Sequence, residues 1–239
     1  MALFGSIEGG GTKFVCAVGQ EPDGLLDLVT LPTTTPEETL NRAISFLSEY
    51  GQLDAIGIAM FGPLHLNRSS ASYGSVGATP KSGWTGAEVV SRFRDAFGIP
   101  IGFDTDVNGA ALGEGRWGAG RGLGSFLYVT VGTGIGGGGV INGEPMHGLV
   151  HPEIGHLRVP RHPEDPFPGS CPFHGDCLEG LASGPALAER WGRPSEDLDA
   201  DTDRAIEFES HSLGHAMANL VLTVSPERII LGGGVMKMA

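Results

Sequence analysis

Basic residues, cysteines and long apolar runs are all scarce in this chain, and each scarcity removes a class of function. Lysine and arginine number 15 against 28 aspartates and glutamates, for a formal net charge of −13. Nucleic-acid affinity comes mostly from Lys and Arg releasing counterions from phosphates, so no nucleic-acid partner is expected. Small nucleotides stay open, because backbone N–H groups and a divalent cation can hold them. No apolar run approaches the roughly 20 residues that cross a bilayer, so no membrane partner is expected. The N-terminus, Met1-Ala-Leu-Phe-Gly-Ser-Ile7, lacks the basic region and apolar core of a signal peptide, and the expected location is cytoplasmic. The three cysteines show no framework spacing, which argues for a reducing compartment. Cys16 falls in the apolar run Phe14–Val18 and reads as a small buried hydrophobe.

The 239 residues, 40% hydrophobic and 18% charged, suffice for one large globular domain or two modest ones. Glycine is the outlying residue, at 40. The glycines gather in a few turns instead of a linker, so the backbone is being asked to approach something closely.

The pattern predicts a strand over Leu3–Ile7, a glycine turn Glu8–Thr12, a strand over Lys13–Val18 and another over Leu25–Leu31. Thr35-Pro36-Glu37-Glu38 is a capping box. The helix it opens carries Leu40, Ala43, Ile44 and Leu47 on one stripe and stops at Gly51. Further strands are expected at Asp54–Met60 and Pro100–Phe103, with a helix between them that turns Val89, Val90, Phe93 and Phe97 inward. A helix rich in small residues follows from Val107 to about Trp117. The second half repeats the opening: strand Ser125–Val131, turn Gly132–Gly139, return strand Val140–Ile141. Helices are predicted over Leu178–Trp191 and Asp201–Val224, the second with Ile206, Leu213, Met217, Leu220, Val221 and Val224 on its apolar stripe. A strand over Arg228–Leu231 then runs into Gly232-Gly-Gly234. Strand, glycine turn and strand once in each half suggest two related α/β halves facing each other across a cleft.

Gly132-x-Gly134-x-x-Gly137 formally matches the dinucleotide fingerprint. That fingerprint needs a helix directly after the glycines, and here a return strand follows. No G-x4-GK[ST] loop occurs either. What remains is two tight hairpins with bare N–H groups and hydroxyls at Thr12 and Thr133. Either alone reads as an ordinary turn. Two at equivalent positions, with a third run at Gly232–Gly234, point to phosphate binding by backbone N–H groups.

Cys171-Pro-Phe-His174-Gly-Asp-Cys177 follows His156 by fifteen residues. Two thiols and two imidazoles are the donors of a closed tetrahedral Zn²⁺ site, and Pro172 and Gly175 let so short a loop curl around one ion. Affinity order alone does not select zinc over other transition metals. Glu153 and Glu179 bracket the cluster, and a metal-clamped loop would fix both carboxylates.

These segments resemble the ROK family of sugar kinases, within the actin/hexokinase type of ATP-binding fold, and within that family the bacterial zinc-containing fructokinases. The matching residues are Ile7-Glu-Gly-Gly-Gly-Thr-Lys-Phe14, Asp104-Thr-Asp-Val-Asn-Gly-Ala-Ala-Leu-Gly-Glu114, Val131-Gly-Thr-Gly-Ile-Gly-Gly137, His151-Pro-Glu-Ile-Gly-His156 and Cys171 through Pro185. The resemblance spans the chain, and the Cys/His cluster running into Leu178-Glu-Gly180 is its most specific part. It implies an α/β, ribonuclease H-like two-domain fold with a nucleotide cleft between residues 1–113 and 114–239. It implies Asp106 as the general base, with Thr105, Glu153, His156 and Glu179 around the sugar. Gly9, Gly10, Gly11, Thr12 and Lys13 would meet the ATP phosphates with Gly132, Thr133 and Gly134, and Gly232, Gly233 and Gly234 the nucleoside. Glu8 would hold Mg²⁺ through water, His156, Cys171, His174 and Cys177 a structural Zn²⁺, and the assembly would be a homodimer. Gly62, Lys81 and Trp84 are further sugar-side candidates, although each taken alone reads better as a turn glycine, a solvated lysine and a core tryptophan.

Two departures bear on the substrate. Thr105 stands where glucokinases of the family carry Asn, and His151-Pro152 replaces a small residue before Glu153. Both tilt the expectation to fructose over glucose, and a kinase for glucose or an N-acylhexosamine is the alternative within the family. The resemblance also implies some tens of residues beyond Gly234, so the C-terminal half is expected to be truncated. That leaves a non-catalytic sugar-binding or regulatory fragment as the other class. Repressors of the family carry a DNA-binding domain ahead of the first strand, whereas this sequence opens on it.

Overall fold

The structure, a computed structural model, describes residues 2–21, 24–194 and 202–237. It contains two compact units, Met1–Gly109 with His147–His151, and Ala110–Met146 with Pro152–Ala239. The division falls inside one helix, as does the 113/114 boundary expected from sequence. The excursion of residues 147–151 into the first unit has a visible tie, since His147 Nε2 lies 2.8 Å from Asp104 Oδ2.

The first unit is built on strands β1 (Phe4–Gly9), β2 (Lys13–Gly19), β3 (Leu25–Pro32), β4 (Ala55–Met60) and β5 (Ile101–Thr105), in the order β3-β2-β1-β4-β5. β1 pairs antiparallel with β2 and parallel with β4, and β4 parallel with β5. Helix α1 (Pro36–Ser48) starts as its capping box predicts: Thr35 accepts a hydrogen bond from Glu38 N, and Leu40, Ala43 and Leu47 are buried. Helix α2 (Val90–Phe97) ends at Gly98, whose positive φ suits glycine. The core gathers Phe14, Leu40, Leu47, Ile56, Met60, Trp84 and Phe93. Trp84 is a member of that core, fully buried between Phe14 and Phe61, and its indole N–H donates to Thr34 O at 2.9 Å.

The second unit repeats the plan. β6 (Phe126–Val131), β7 (Ile135–Ile141), β8 (Glu144–Pro145) and β9 (Arg228–Gly232) form a sheet in the order β8-β7-β6-β9. β6 is antiparallel to β7 and parallel to β9. Each unit therefore has a glycine-turned hairpin whose first strand pairs with a parallel neighbour. The return strand is longer than expected and begins at Ile135, because glycines 136–139 pair along β6 from Thr130 to Leu127. A side chain there has no room: a Cβ on Gly137 would lie 2.6 Å from Ile154 Cδ1.

Helix α3 (Asp106–Trp117) joins the two units. The single helix expected over Leu178–Trp191 is two, α4 (Leu178–Ala182) and α5 (Gly184–Trp191), split at an extended Ser183. Pro185 is the cause. It has no N–H to give Leu181 O, and that carbonyl accepts from Arg190 instead, at 2.9 Å. Helix α6 (Thr202–Val224) buries Leu213 and Leu220 as expected but leaves Val221 half exposed, and the core side is completed by Ala205, Phe208 and Ala216. The expected first residue of α6, Asp201, lies outside the described residues. No described helix is long and apolar enough to cross a membrane.

Candidate functional site

The turn between β1 and β2 has all its carbonyls tied back. Gly10 O accepts from Thr33 Oγ1 at 2.7 Å, Gly11 O from Lys81 Nζ at 2.6 Å and Thr12 O from Thr33 N at 2.9 Å. Lys13 O accepts from Gly10 N at 2.8 Å. The N–H groups of Gly11 and Thr12 make no hydrogen bond among the described residues, and both residues are exposed. Free successive N–H groups with sequestered carbonyls are what an anion-binding concavity requires.

β5 ends at Thr105 and α3 begins at Asp106, which puts three polar side chains at one strand-to-helix junction. Thr105 Oγ1 accepts from Asn108 N at 3.2 Å, and Asp104 Oδ1 accepts from Asn108 Nδ2 at 2.9 Å. Thr105 thus fills the capping role, buried at 2% exposure. Asp106 is relieved of that role. Its Oδ1 accepts from Val107 N at 2.9 Å. Burial raises its pKa, against the lowering effect of backbone N–H groups and the nearby His151. His151 is itself buried, and its Nε2 fills the space of the side chain that Gly62 lacks. Gly62, Asp106 and His151 accordingly share the first unit.

In the second unit the turn after β6 follows the same rule. Gly184 N donates to Gly132 O at 2.7 Å and Gly132 N to Gly134 O at 2.9 Å. Thr133 N and Gly134 N have no partner among the described residues. Ile135 N, next in line, donates to Glu179 Oε2 at 3.0 Å. One oxygen of Glu179 is therefore engaged with the turn. Gly232–Gly234 follows β9, where Gly234 O accepts from Lys237 N at 3.2 Å.

The ligand atoms of His156, Cys171, His174 and Cys177 all lie within 4.8 Å of one another. His156 Nδ1 is 3.5 Å from Cys177 Sγ and 3.8 Å from Cys171 Sγ, and His174 Nδ1 is 3.7 Å from Cys171 Sγ. A tetrahedron with Zn–S of about 2.3 Å and Zn–N of about 2.0 Å has N···S edges of roughly 3.5 Å, so the donor set fits a zinc ion. Burial raises the Cys177 pKa, opposed by Gly180 N–H and reinforced by Cys171. A cation would offset the charge of two adjacent thiolates. The loop is sewn to α4, which starts directly after Cys177: Leu178 N donates to Leu157 O and Ser170 N to Gly180 O, each at 2.9 Å. Glu153, exposed, precedes the short 3₁₀ turn Ile154–His156, and its backbone carbonyl accepts from His156 N at 3.0 Å.

Three polar residues beside these groups had no distinct sequence signal. Thr33 sits after β3 in an ordinary Thr-rich loop. Lys81 read as a solvated lysine, yet it reaches back 70 positions to Gly11. Arg190 on α5 has a buried side chain, 3.0 Å from Asp165 Oδ2, with its guanidinium over the Phe167 ring.

The ROK family model matches residues 4–239. The fructokinase of Zymomonas mobilis is 49% identical over 241 residues, covering 98% of this chain and 80% of that one. The fructokinase of Lactococcus lactis subsp. cremoris is 45% identical over 235 residues, covering 98% and 79%. Among solved structures, a ROK family glucokinase from Streptomyces griseus in complex with glucose and AMPPNP superposes with a TM-score of 0.77 at 26% identity, covering 99% of this chain and 85% of that one. The fold is thus actin/hexokinase-like, and with two hairpin-turned units, a family model matched almost end to end and relatives near half identical, the chain belongs to the ROK family.

Proposed function

We propose that the chain phosphorylates D-fructose to fructose 6-phosphate at the expense of ATP. Fructokinases at 45% and 49% identity across 98% of the chain support the substrate. The observation that carries the chemistry is the division of labour at the start of α3. Thr105 caps the helix, which leaves the Asp106 carboxylate, half-buried and with a raised pKa, available to a substrate hydroxyl. A carboxylate of raised basicity is a better acceptor for the alcohol proton, and phosphoryl transfer asks little other covalent chemistry of a protein.

In this reading the free N–H groups of Gly11, Thr12, Thr133 and Gly134 meet phosphate oxygens, and Gly232–Gly234 the nucleoside. Glu153, His156 and the second oxygen of Glu179 turn to the sugar. Mg²⁺, held through water by the exposed Glu8, would neutralise phosphate charge when bound. Four protein ligands would give zinc a closed, structural site whose work is to hold α4 in place. We further propose a homodimer, which sedimentation equilibrium tests.

The test is ADP release with a hexose panel, on wild type and Asp106→Asn. Fructose-dependent ADP that the substitution abolishes supports the reading. Folded protein that gives no sugar-dependent ADP overturns it, and turnover that favours glucose or an N-acylhexosamine moves the substrate.

A further inference from the structure

We propose that Lys81 and Thr33 are positioning residues for nucleotide phosphate, holding the turn Gly9–Thr12 with its N–H groups facing outward. The inference rests on the reading that this turn meets phosphate, and goes beyond it by naming what sets the turn's orientation.

The argument follows from the peptide unit. In a trans peptide the C=O of one residue and the N–H of the next lie in one plane and point in opposite directions. Holding a carbonyl therefore aims the next N–H the other way. Thr33 Oγ1 holds Gly10 O at 2.7 Å, which aims the N–H of Gly11. Lys81 Nζ holds Gly11 O at 2.6 Å, which aims the N–H of Thr12. Neither of these two N–H groups has a protein partner among the described residues.

The sequence alone would let the turn do otherwise. Gly9-Gly10-Gly11 is the most permissive tripeptide available, and an unrestrained glycine peptide can flip and present a carbonyl to the phosphate instead. Two side chains from outside the hairpin remove that freedom. Thr33 is buried, and it doubles its hold through Thr33 N on Thr12 O at 2.9 Å. Lys81 also donates to Thr33 O at 3.3 Å, so the two residues brace one another. Lys81 forms no ion pair among the described residues, in a chain with 28 carboxylate side chains. Its ammonium is spent on main-chain oxygens of the turn. Donors fixed before the ligand arrives cost nothing to reorganise when phosphate binds.

The experiment compares Lys81→Met, Lys81→Arg, Thr33→Val and Gly11→Ala by calorimetry with a non-hydrolysable ATP analogue and with adenosine, alongside fructose KM and Tm. A Cβ on Gly11 meets nothing within 4 Å. Gly11→Ala therefore leaves the fold alone and obstructs only a ligand that comes up to the turn. It tests the phosphate reading without touching either positioning residue.

The expected result is that Lys81→Met weakens the analogue roughly tenfold or more, the scale of a lost hydrogen bond to a charged group. Adenosine affinity and fructose KM stay within twofold, and Lys81→Arg recovers most of the loss. Thr33→Val, which keeps shape and loses the hydroxyl, acts in the same direction. A merely structural role would move adenosine, fructose and Tm together and would overturn the proposal. If Gly11→Ala weakens the analogue while Lys81→Met and Thr33→Val do not, the turn binds phosphate but these residues do not position it. If Gly11→Ala and Lys81→Met are both silent, the turn is not the phosphate site and the proposal falls with that reading.

Discussion

Glu209 gives the fold a dependence on pH that one substitution should erase. It lies on α6 with 8% exposure, and neither carboxylate oxygen has a hydrogen-bond partner among the described residues. Burial pushes its pKa up to about 8, opposed by Arg190. Arg190 does not fully relieve it, because its guanidinium serves Asp165 Oδ2 at 3.0 Å and Leu181 O at 2.9 Å. The ordinary value for Glu is 4.5. Between that value and about 8, folded Glu209 keeps a proton that the unfolded chain has released. The unfolded state binds fewer protons in this window, so stability falls as pH rises through it, by up to about 1.4 kcal/mol per unit. Two pH units inside the window set a ceiling of about 3 kcal/mol, and water reaching the carboxylate lowers it, so about 2 kcal/mol is expected.

The assay is urea denaturation of metal-loaded wild type and Glu209→Gln at pH 5.5 and 7.5. Glutamine keeps the shape of the protonated side chain and cannot ionise. Metal affinity also depends on pH, but that contribution is common to both proteins and cancels in the difference of differences. Glu209→Gln should gain about 2 kcal/mol on wild type between the lower and the higher pH. Parallel profiles would refute the reasoning, since they would mean that Glu209 finds a partner or solvent in the folded state.

Asp106→Asn should lower kcat at least 100-fold, within the span of general-base contributions, while fructose KM changes little; a coupled ADP assay reads both. Replacing Cys171 and Cys177 together with Ser should reduce zinc from one per chain to none by elemental analysis, with a drop in Tm that a chelator reproduces on wild type. Gly180→Ala would set a Cβ 1.9 Å from Gly175 O and 3.0 Å from Cys171 N. It should cost about 1–3 kcal/mol in thermal or urea unfolding, the scale of overpacking, and loosen the metal loop.

Both hairpins were legible because glycine runs bounded by alternating apolar residues leave few other structures. The capping box of α1 was legible for a similar reason: Thr35, Pro36 and Glu38 each act on the nearest backbone. The break between α4 and α5 was signalled by Pro185 yet hidden by the apolar run around it, and its resolution needed Arg190 to take the vacated Leu181 carbonyl. The start of β7 was missed because glycine lowers strand propensity, whereas the pairing of glycines 136–139 with β6 is a tertiary fact. The Cys/His cluster could be read from donor chemistry and spacing. Lys81 and Thr33 could not, since the carbonyls they hold are 70 and 23 positions away. Nothing local to Thr79-Pro-Lys-Ser-Gly distinguishes a bracing lysine from a solvated one.

The geometry around Glu179 changes what a metal held by the Cys/His loop would be for. From sequence, the loop served to press Glu153 and Glu179 against a sugar. In the structure, α4 begins directly after Cys177, and Glu179 in its first turn receives Ile135 N at 3.0 Å. Just past α4, beyond the extended Ser183, the first residue of α5 acts on the other end of the turn: Gly184 N holds Gly132 O at 2.7 Å, which by the planarity of the peptide aims the N–H of Thr133 away from it. The second glycine turn is therefore gripped at both ends by residues 179 and 184, as the first is gripped by Thr33 and Lys81. The means differ: a hydroxyl and an ammonium in one unit, a helix N-terminus and a carboxylate in the other. In the second unit the carboxylate's hold depends on where α4 sits, and α4 is hydrogen-bonded to the loop that carries the four candidate metal ligands. Loss of the metal should therefore weaken nucleotide as well as sugar, and a variant that releases zinc yet leaves ATP affinity unchanged would separate the loop from the turn.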